Sequence, residues 1–258
     1  MTNPGTTPAR TAIVTGSASG IGAATVLELA RLGYRTVGID IDLPGAQATA
    51  HKAEHLHANG SAPGHLALHA DVTDEPRLMA AFDEALAFLG QLDGLVTCAG
   101  VADTTAFMDL GADTFRRLHE VNVIGTFVCI REAARRMPHG GRICTVASVA
   151  GLRGGGLLGT AAYASSKGAV LALTKNAARA LAPLGISVNT LAPGATLTPM
   201  IAEHWKDEAR RTLVESMSAL HRTAQPIEMA AAIAFLLSPQ ASAITGTTLV
   251  ADNGLAMY

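Results

Sequence analysis

Short β-branched segments alternate with longer alanine- and leucine-rich segments along almost the whole chain, and this alternation constrains the fold most. Strands that alternate with helices pair in parallel, because each connecting helix returns the chain to the same end of the sheet. The sequence therefore predicts an α/β fold: a doubly wound parallel sheet of about seven strands with helices on both faces. The predicted strands are residues 12–15, 36–40, 66–70, 92–98, 142–148, 187–191 and 248–251, and the predicted helices are residues 21–32, 44–57, 75–89, 112–137, 163–181, 201–220 and 227–237.

The composition excludes several classes of protein. Hydrophobic residues make up 49% of the 258 residues and charged residues 16%, which rules out an intrinsically disordered chain. The net charge is −2, so no basic excess favours nucleic acid binding. Three scattered cysteines are too few for a disulfide framework or a zinc site. Five histidines cluster within residues 51–69, in a polar helix and the loop after it, where we expect a solvated surface and no metal site.

The sequence shows neither the pattern of a signal peptide nor that of a membrane-spanning helix. Residues 1–10 are polar and lack the apolar region of a signal peptide, so we expect a flexible N-terminal tail there. No apolar run reaches the roughly 18 residues of a membrane-spanning helix. We therefore expect a cytoplasmic protein with no membrane partner, in which residues 11–258 form a single domain.

A glycine cluster at residues 15–22 directly follows the first predicted strand and opens the first predicted helix. Glycines at this point permit a tight turn and let a ligand approach the backbone, while the helix N-terminus offers free N–H groups to a pyrophosphate. A purely structural turn is the alternative interpretation. Asp40 ends the second strand, where a carboxylate is the expected partner of an adenosine ribose hydroxyl; Asp42 is a competing candidate, and a solvated loop carboxylate is the alternative.

Tyr163 and Lys167 are four residues apart near the start of a predicted helix, so they lie on one face of it. Ser148 ends the strand before that helix. A phenol is a poor base at neutral pH, but a neighbouring ammonium favours its phenolate form. The pattern predicts Tyr163 as a general acid or base, with Ser148 as a hydrogen-bond donor to a substrate oxygen.

From residue 11 to about residue 255 the sequence resembles the short-chain dehydrogenase/reductase family. The family pattern T-G-x-x-x-G-I-G is met by residues 15–22, and the family's catalytic Ser, Tyr and Lys correspond to the three residues just named. The resemblance assigns the family's catalytic Asn, which keeps one helix bulged and holds a water for proton relay, to Asn122. The N-A-G motif that supports the sheet appears as residues 98–100 with cysteine in place of asparagine, a departure that concerns this local brace. The family's Pro-Gly motif is residues 193–194.

The resemblance implies a Rossmann-type fold and an NAD-dependent oxidoreductase that interconverts a secondary alcohol and a ketone. It implies that Tyr163 takes the hydroxyl proton and that Lys167 binds the nicotinamide ribose and lowers the pKa of Tyr163. A nucleotide-sugar epimerase or dehydratase of similar fold and a non-catalytic NAD-sensing protein are the alternatives. The expected cofactor-binding residues are Gly16, Ser19, Gly20, Ile21, Gly22, Asp40, Ile41, Asp71, Val72, Cys98, Ala99, Gly100, Tyr163, Lys167, Pro193, Gly194, Thr196 and Thr198.

NAD should be preferred over NADP, because a 2′-phosphate would meet the carboxylate of Asp40. No compensating cation is visible, since Ser19 and Ile41 are uncharged. The resemblance also implies a homotetramer, built by helices 112–137 and 163–181 and by helix 227–237 with strand 248–251.

The substrate side is the least determined part of the sequence. Ser148 and Tyr163 are 15 residues apart, more than is usual in the family, and the surplus lies in the glycine-rich stretch 152–159. A lid is expected at about residues 195–222. A neutral alcohol is favoured over an anionic substrate. In the alternative, Arg153 and the cations of the lid would converge on a carboxylate or sulfonate of the substrate. The acidic residues of the lid could prevent this by pairing with those cations. The candidate substrate residues are Ala150, Arg153, Thr160, Trp205 and Arg210.

Overall fold

The computed structural model describes residues 9–56, 64–155 and 160–257. Of the predicted features, three parts lie outside these described residues: residues 1–8 of the tail, His57 at the end of the second predicted helix and within the histidine cluster, and residues 156–159 of the glycine-rich stretch. Within the described ranges, seven strands form one parallel sheet in the order β3-β2-β1-β4-β5-β6-β7. The strands are β1 (Thr11–Thr15), β2 (Arg35–Asp40), β3 (His65–His69), β4 (Gly94–Thr97), β5 (Arg142–Val146), β6 (Ser187–Pro193) and β7 (Thr248–Ala251).

Helices connect the strands and cover both faces of the sheet. They are α1 (Gly20–Arg31), α2 (Leu43–Glu54), α3 (Glu75–Leu89), α4 (Ala112–His119), α5 (Thr126–Arg136), α6 (Val149–Arg153), α7 (Ala161–Leu181), α8 (Pro199–Ala202), α9 (Glu208–Ser216) and α10 (Pro226–Leu237). A π-helical turn, Glu120–Gly125, joins α4 to α5. No helix in the described part of the chain is long and apolar enough to cross a membrane.

Neighbouring residues of each strand point into two different hydrophobic cores, which confirms the predicted doubly wound sheet. Ile13 packs with Phe82 in the core beneath α3, α5 and α7, whereas Val14 packs with Leu29 and Ile233 in the core beneath α1, α2 and α10. Side chains alternate between the faces of a strand, so a strand that is buried on both faces must be apolar at every position. All five of these side chains are almost completely buried.

Two predicted helices differ in the structure. The predicted helix 112–137 is continuous but contains the π-helical turn between α4 and α5. The predicted helix 201–220 is wrong, because the chain forms α8, a short 3₁₀ turn (His204–Lys206) and α9 instead. The break occurs at Asp207, whose backbone is extended and whose carboxylate caps α9 by accepting from the Arg210 N–H at 3.1 Å. The sequence analysis also missed the single-turn helix α6.

The strand order reverses at β1, since β2 and β3 lie on one side of it and β4 to β7 on the other. At such a reversal the connections leave the carboxyl ends of β1 and β4 in opposite directions, which opens a crevice between them. The fold therefore places a cleft next to the glycine cluster that follows β1.

Candidate active site

A cleft of about 870 Å³ opens at the carboxyl ends of the strands. Every residue that the sequence predicts at the cofactor lines it, and so do Ser148, Ala150 and Arg153. These residues come from turns that are far apart in the chain. The parallel sheet brings them together, because the carboxyl ends of all seven strands lie along one edge.

The turn after β1 is shaped by glycines at positions where a side chain would strain or block the turn. Gly16 and Gly20 have φ angles of 69° and 56°, which favour glycine. A side chain on Gly22 would collide with the carbonyl oxygen of Gly16, so helix and strand can approach closely only because Gly22 has none. Ser19 precedes α1 without capping it through its side chain. The first turn of α1 therefore offers its N–H groups to the cleft, as an anionic ligand such as a pyrophosphate requires.

Two competing carboxylates follow β2, and the structure separates their roles. Asp40 lines the cleft, where its oxygens accept from the N–H groups of Ala18 at 2.8 Å and Asp42 at 2.9 Å. Asp42 instead caps α2 by accepting from the Gly45 N–H at 3.1 Å. Both oxygens of Asp40 are thus held in place and keep lone pairs for a hydroxyl donor. This geometry fits the adenosine ribose of a dinucleotide.

Three polar side chains of the cleft come from the end of β5 and from α7. Ser148 follows β5 and caps α6, accepting from the Ala150 N–H at 3.1 Å. Tyr163 hydrogen-bonds to the Ser148 side chain. Lys167 lies one turn further along α7, where its ammonium is 5.9 Å from the Tyr163 ring centroid and donates to the Val146 carbonyl oxygen at 2.9 Å. The structure therefore brings a hydroxyl, a phenol and an ammonium together on one wall of the cleft.

Asn122 lies behind this wall in the π-helical turn and does not line the cleft. Its side-chain oxygen accepts from the Val101 N–H, and its amide donates to the Val101 carbonyl and to the Ser166 hydroxyl, each at 2.9 Å. Its backbone carbonyl accepts from the Thr126 hydroxyl at 2.8 Å. Asn122 thus ties the loop after β4 to α7, the helix that carries Tyr163 and Lys167.

Comparison with known proteins agrees with this geometry. Residues 16–256 match a family model described as enoyl-(acyl carrier protein) reductase. The chain is 38% identical to cis-4-hydroxycyclohexanecarboxylate dehydrogenase of Sinomonas cyclohexanicum over 95% of its own length and 96% of the relative's. It is 37% identical to cyclopentanol dehydrogenase of Comamonas testosteroni, covering 94% and 95% of the two chains. A short-chain dehydrogenase/reductase from Mycobacterium marinum superposes with a TM-score of 0.89 at 30% identity, covering 96% of each chain.

The chain belongs to the short-chain dehydrogenase/reductase family. The family model spans nearly the whole chain, and the relatives align with it over almost their full lengths. The predicted fold and family are therefore confirmed. Members of this family are oxidoreductases that use a nicotinamide cofactor, and the glycine turn and the fixed Asp40 carboxylate fit such a group.

The ionisation of the site in this short-chain dehydrogenase/reductase differs from the sequence-based expectation. Burial raises the pKa of Tyr163 above its usual value, and only the hydrogen bond from Ser148 opposes this rise. Burial also lowers the pKa of Lys167 to about 8. The sequence predicted a lowered pKa for Tyr163, but Lys167 directs its ammonium to a backbone carbonyl and is itself partly neutralised by burial. Tyr163 is therefore a phenol at neutral pH, ready to donate a proton.

Cys98 occupies the first position of the family's N-A-G motif. It lines the cleft, whereas Cys129 and Cys144 are buried in the two hydrophobic cores. Burial raises the pKa of Cys98 to about 12, although the charge of Lys167 acts in the opposite direction. Cys98 is thus a protonated thiol that adds an apolar surface to the cleft and is a poor nucleophile.

The structure places only some of the predicted substrate residues at the cleft. Ala150 and Arg153 line the cleft, but Thr160, Trp205 and Arg210 do not. The Thr160 hydroxyl donates to the Asp103 carbonyl at 3.0 Å, and the Trp205 indole N–H donates to the Thr223 hydroxyl at 2.9 Å.

The cleft also has lining residues that the sequence analysis did not name, and one group of them lies in the segment 195–222. Four of these side chains are apolar and one is an imidazole, and several are three or four residues apart. The group consists of Met200, Ile201, His204, Val214 and Met217. This spacing could have indicated that the side chains share one wall of the cleft. The same spacing is typical of a helix face that packs into a hydrophobic core, which is the more common interpretation. Among the described residues, no group of three or more His, Cys, Asp or Glu side chains could hold a metal ion.

Proposed function

We propose that this protein is an NAD-dependent dehydrogenase that interconverts a secondary alcohol and a ketone. One observation carries the proposal: Ser148, Tyr163 and Lys167 lie on one wall of the cleft, and Asp40 lines the same cleft at the glycine turn. The first three can handle a proton at a substrate oxygen, and Asp40 can bind a ribose. A binding protein that only senses the cofactor would need no such wall.

The bound nicotinamide would supply the hydride chemistry, and the protein would supply the proton transfer and orientation. Ser148 donates a hydrogen bond to the substrate oxygen. In the reductive direction, Tyr163 gives its proton to that oxygen, a role that suits a phenol with a raised pKa. In the oxidative direction it takes the proton back, and the Lys167 ammonium 5.9 Å from its ring stabilises the phenolate that forms. We also infer that Asn122 supports this wall by holding α7, with a water relay at its helix bulge.

The choice of NAD over NADP depends on Asp40. Its fixed carboxylate would accept from a ribose 2′-hydroxyl but would repel a 2′-phosphate. The neighbouring Ser19 and Ile41 supply no positive charge. This proposal goes beyond the relatives, since one of them, from Azotobacter vinelandii, is an L-rhamnose 1-dehydrogenase described as using NAD(P)⁺.

The cleft favours an alicyclic alcohol as substrate. Its wall from the segment 195–222 is mostly apolar, and we propose that this segment is a lid over the substrate, within the single domain of residues 11–258. Two relatives act, by their names, on a hydroxycyclohexanecarboxylate and on cyclopentanol, and both of these contain a carbon ring. Such rings bury well against methionine and isoleucine side chains.

The decisive experiment is a screen of cyclic secondary alcohols with NAD⁺, with NADH absorbance as the readout. We expect turnover of at least one cyclohexanol or cyclopentanol by the wild type. The Tyr163→Phe variant should still bind NADH by fluorescence and yet show almost no turnover. Equal rates in the two proteins would refute the proposed mechanism.

We further propose a cytoplasmic homotetramer. Large apolar side chains remain exposed on the predicted contact helices, with Phe115 37%, Ile124 45% and Phe127 45% exposed around α4 and α5. On α10, Ile227 and Phe235 are 50% and 43% exposed. Patches of this kind mark surfaces that a second copy of the chain would cover. Sedimentation at micromolar concentration should give the mass of four chains, and a stable monomer would contradict the proposal.

A further inference from the structure

Beyond Thr196 and Thr198, which lie among the expected cofactor residues, the segment 195–222 carries one polar side chain on its apolar wall of the cleft. His204 begins the 3₁₀ turn between α8 and α9 and lines the cleft. Its Nδ1 lies 3.0 Å from Nη1 of Arg210. A guanidinium group can only donate, so Nδ1 must accept, and the neutral ring must carry its proton on Nε2. Arg210 therefore selects the tautomer in which His204 is a donor at its outer nitrogen.

The outer nitrogen of His204 is free to meet a ligand. Within the described part of the chain, no group forms a hydrogen bond with Nε2. The surrounding wall is formed by Met200, Ile201 and Met217, which offer no acceptor oxygen from their side chains. A single oriented N–H in an apolar wall discriminates strongly, because a substrate without an acceptor would leave that N–H unpaired.

Arg210 also places a positive charge next to the His204 imidazole. The two other cations nearby are paired with carboxylates, Lys206 with Glu203 at 2.7 Å and Arg211 with Glu208 at 3.7 Å. Among the described residues, no carboxylate forms an ion pair with Arg210, whose Nη1 faces the imidazole instead. Its charge polarises the ring and makes the Nε2–H a stronger donor, above all toward an anion.

The other charged side chains that line the cleft are of both signs: Arg117, Arg153 and Lys167 are cations, and Asp40, Asp71 and Asp103 are acids. Arg117 and Arg153 line the cleft, are exposed, and form no ion pair within the described residues. Asp103 is the acid on this part of the rim, and its carboxylate accepts from the N–H and hydroxyl of Thr105 at 2.9 and 3.1 Å. Asp207 is occupied in capping α9.

We propose that His204, positioned by Arg210, binds a carboxylate group on the substrate, away from the hydroxyl that reacts at Ser148 and Tyr163. The inference rests on the proposed function as an alicyclic alcohol dehydrogenase and narrows its substrate class to hydroxy acids with a carbon ring. His204 is then a specificity-determining residue. Arg210 is a positioning residue that acts through the tautomer and charge of His204.

The test compares two substrates of similar size that differ in charge, cis-4-hydroxycyclohexanecarboxylate and cis-4-methylcyclohexanol. The wild type should have the lower KM for the hydroxy acid. His204→Leu should raise the ratio of KM for the acid to KM for the methyl compound about 10- to 100-fold, the range expected for a lost hydrogen bond to a charged group. His204→Gln retains an N–H donor and should recover much of this loss.

Arg210→Met should also raise the KM ratio, by roughly 10-fold, because the imidazole loses its orientation and its positive neighbour. The kcat for the acid should change much less than its KM, since Arg210 does not touch the reacting atoms. Arg211→Met is the matched control, because it removes a neighbouring cation that is paired with Glu208, and it should leave both substrates unaffected. Equal effects of His204→Leu on both substrates would overturn the proposal and make His204 a packing residue.

Binding without turnover separates this inference from the proposed function. Calorimetry with cyclohexanecarboxylate should show binding to the wild type, at least 10-fold weaker binding to the His204→Leu variant, and unchanged binding to the Arg211→Met variant. If the carboxylate binds equally to all three proteins, the inference is wrong even when alcohols are oxidised. If no alcohol is oxidised but binding follows the expected order, the proposed function fails and the carboxylate site stands.

Discussion

Burial of Lys167 should give this protein a contribution to its stability that grows between about pH 8 and pH 10. The ammonium is almost fully buried, with 6% of the residue exposed, and its pKa falls from 10.5 to about 8. A charged group that is buried without a carboxylate partner destabilises the folded state, because its hydration is lost. Lys167 has only the Val146 carbonyl as a partner in the described structure.

The sign and size follow from proton linkage. Between about pH 8 and pH 10 the folded protein has released the Lys167 proton, whereas the unfolded chain still holds it. At this residue the unfolded state binds more protons in this window, so the contribution of Lys167 to the free energy of unfolding increases as the pH rises. Each pKa unit corresponds to about 1.4 kcal/mol, so this contribution should increase by about 2 kcal/mol over the two pH units. The buried thiols, whose pKa values are raised, act in the opposite direction, so the effect is measured as a difference from a variant that lacks Lys167.

Urea unfolding at pH 8, 9 and 10 measures this effect in the protein without cofactor. The wild type should gain stability relative to a Lys167→Met variant, since methionine fills similar space and does not titrate. Lys175→Met is the matched control, because Lys175 lies on the same helix but is exposed, and it should follow the wild type. If the wild type and Lys167→Met change in parallel across this range, the pKa of Lys167 is not lowered and the reasoning is wrong.

Three further predictions concern the site. Tyr163→Phe should lower kcat at least about 100-fold, the lower end for a lost general acid or base, and a near-normal rate in steady-state assays would contradict the mechanism. Asp40→Ala should bring kcat/KM for NAD⁺ and NADP⁺ closer together, and a wild type with equal values for the two cofactors would contradict the role of Asp40. Asn122→Ala should lower the free energy of unfolding by about 2 to 4 kcal/mol in urea, because the Val101 N–H loses its acceptor, the Val101 carbonyl loses its donor and the Ser166 hydroxyl loses one of its two partners. A loss below about 1 kcal/mol would show that water replaces the amide.

Local patterns in the sequence were sufficient for most of the fold. Most strands are short and mostly apolar, and most of the long helices carry an apolar stripe, so the alternation of the two could be predicted from the sequence. The prediction failed at residues 201–220, where apolar spacing suggested one helix. The extended backbone and capping carboxylate of Asp207 divide this segment, and a capping residue inside an apolar pattern competes locally with helix continuation.

The parts of the candidate site that lie close together in the sequence could be predicted from their spacing. The glycine turn, Tyr163 and Lys167 depend on neighbours within one turn of chain, so their spacing is visible in the sequence. The π-helical turn around Asn122 followed only from resemblance, because its cause is a set of contacts to Val101 and Ser166. The direction of the Tyr163 pKa was missed for a similar reason, since desolvation depends on what covers the phenol and not on the residue four positions away.

The sequence by itself determined the doubly wound sheet, the glycine turn and the placement of Tyr163 and Lys167 on one helix face, because short-range spacing and the switch between apolar patterns encode them. Only the tertiary structure decided which of two carboxylates faces the cleft, since Asp40 lines it and Asp42 caps α2. It also placed Arg210 behind His204 instead of at the substrate. These choices depend on the direction in which a side chain points once the elements have packed, and packing direction is a property of the whole fold.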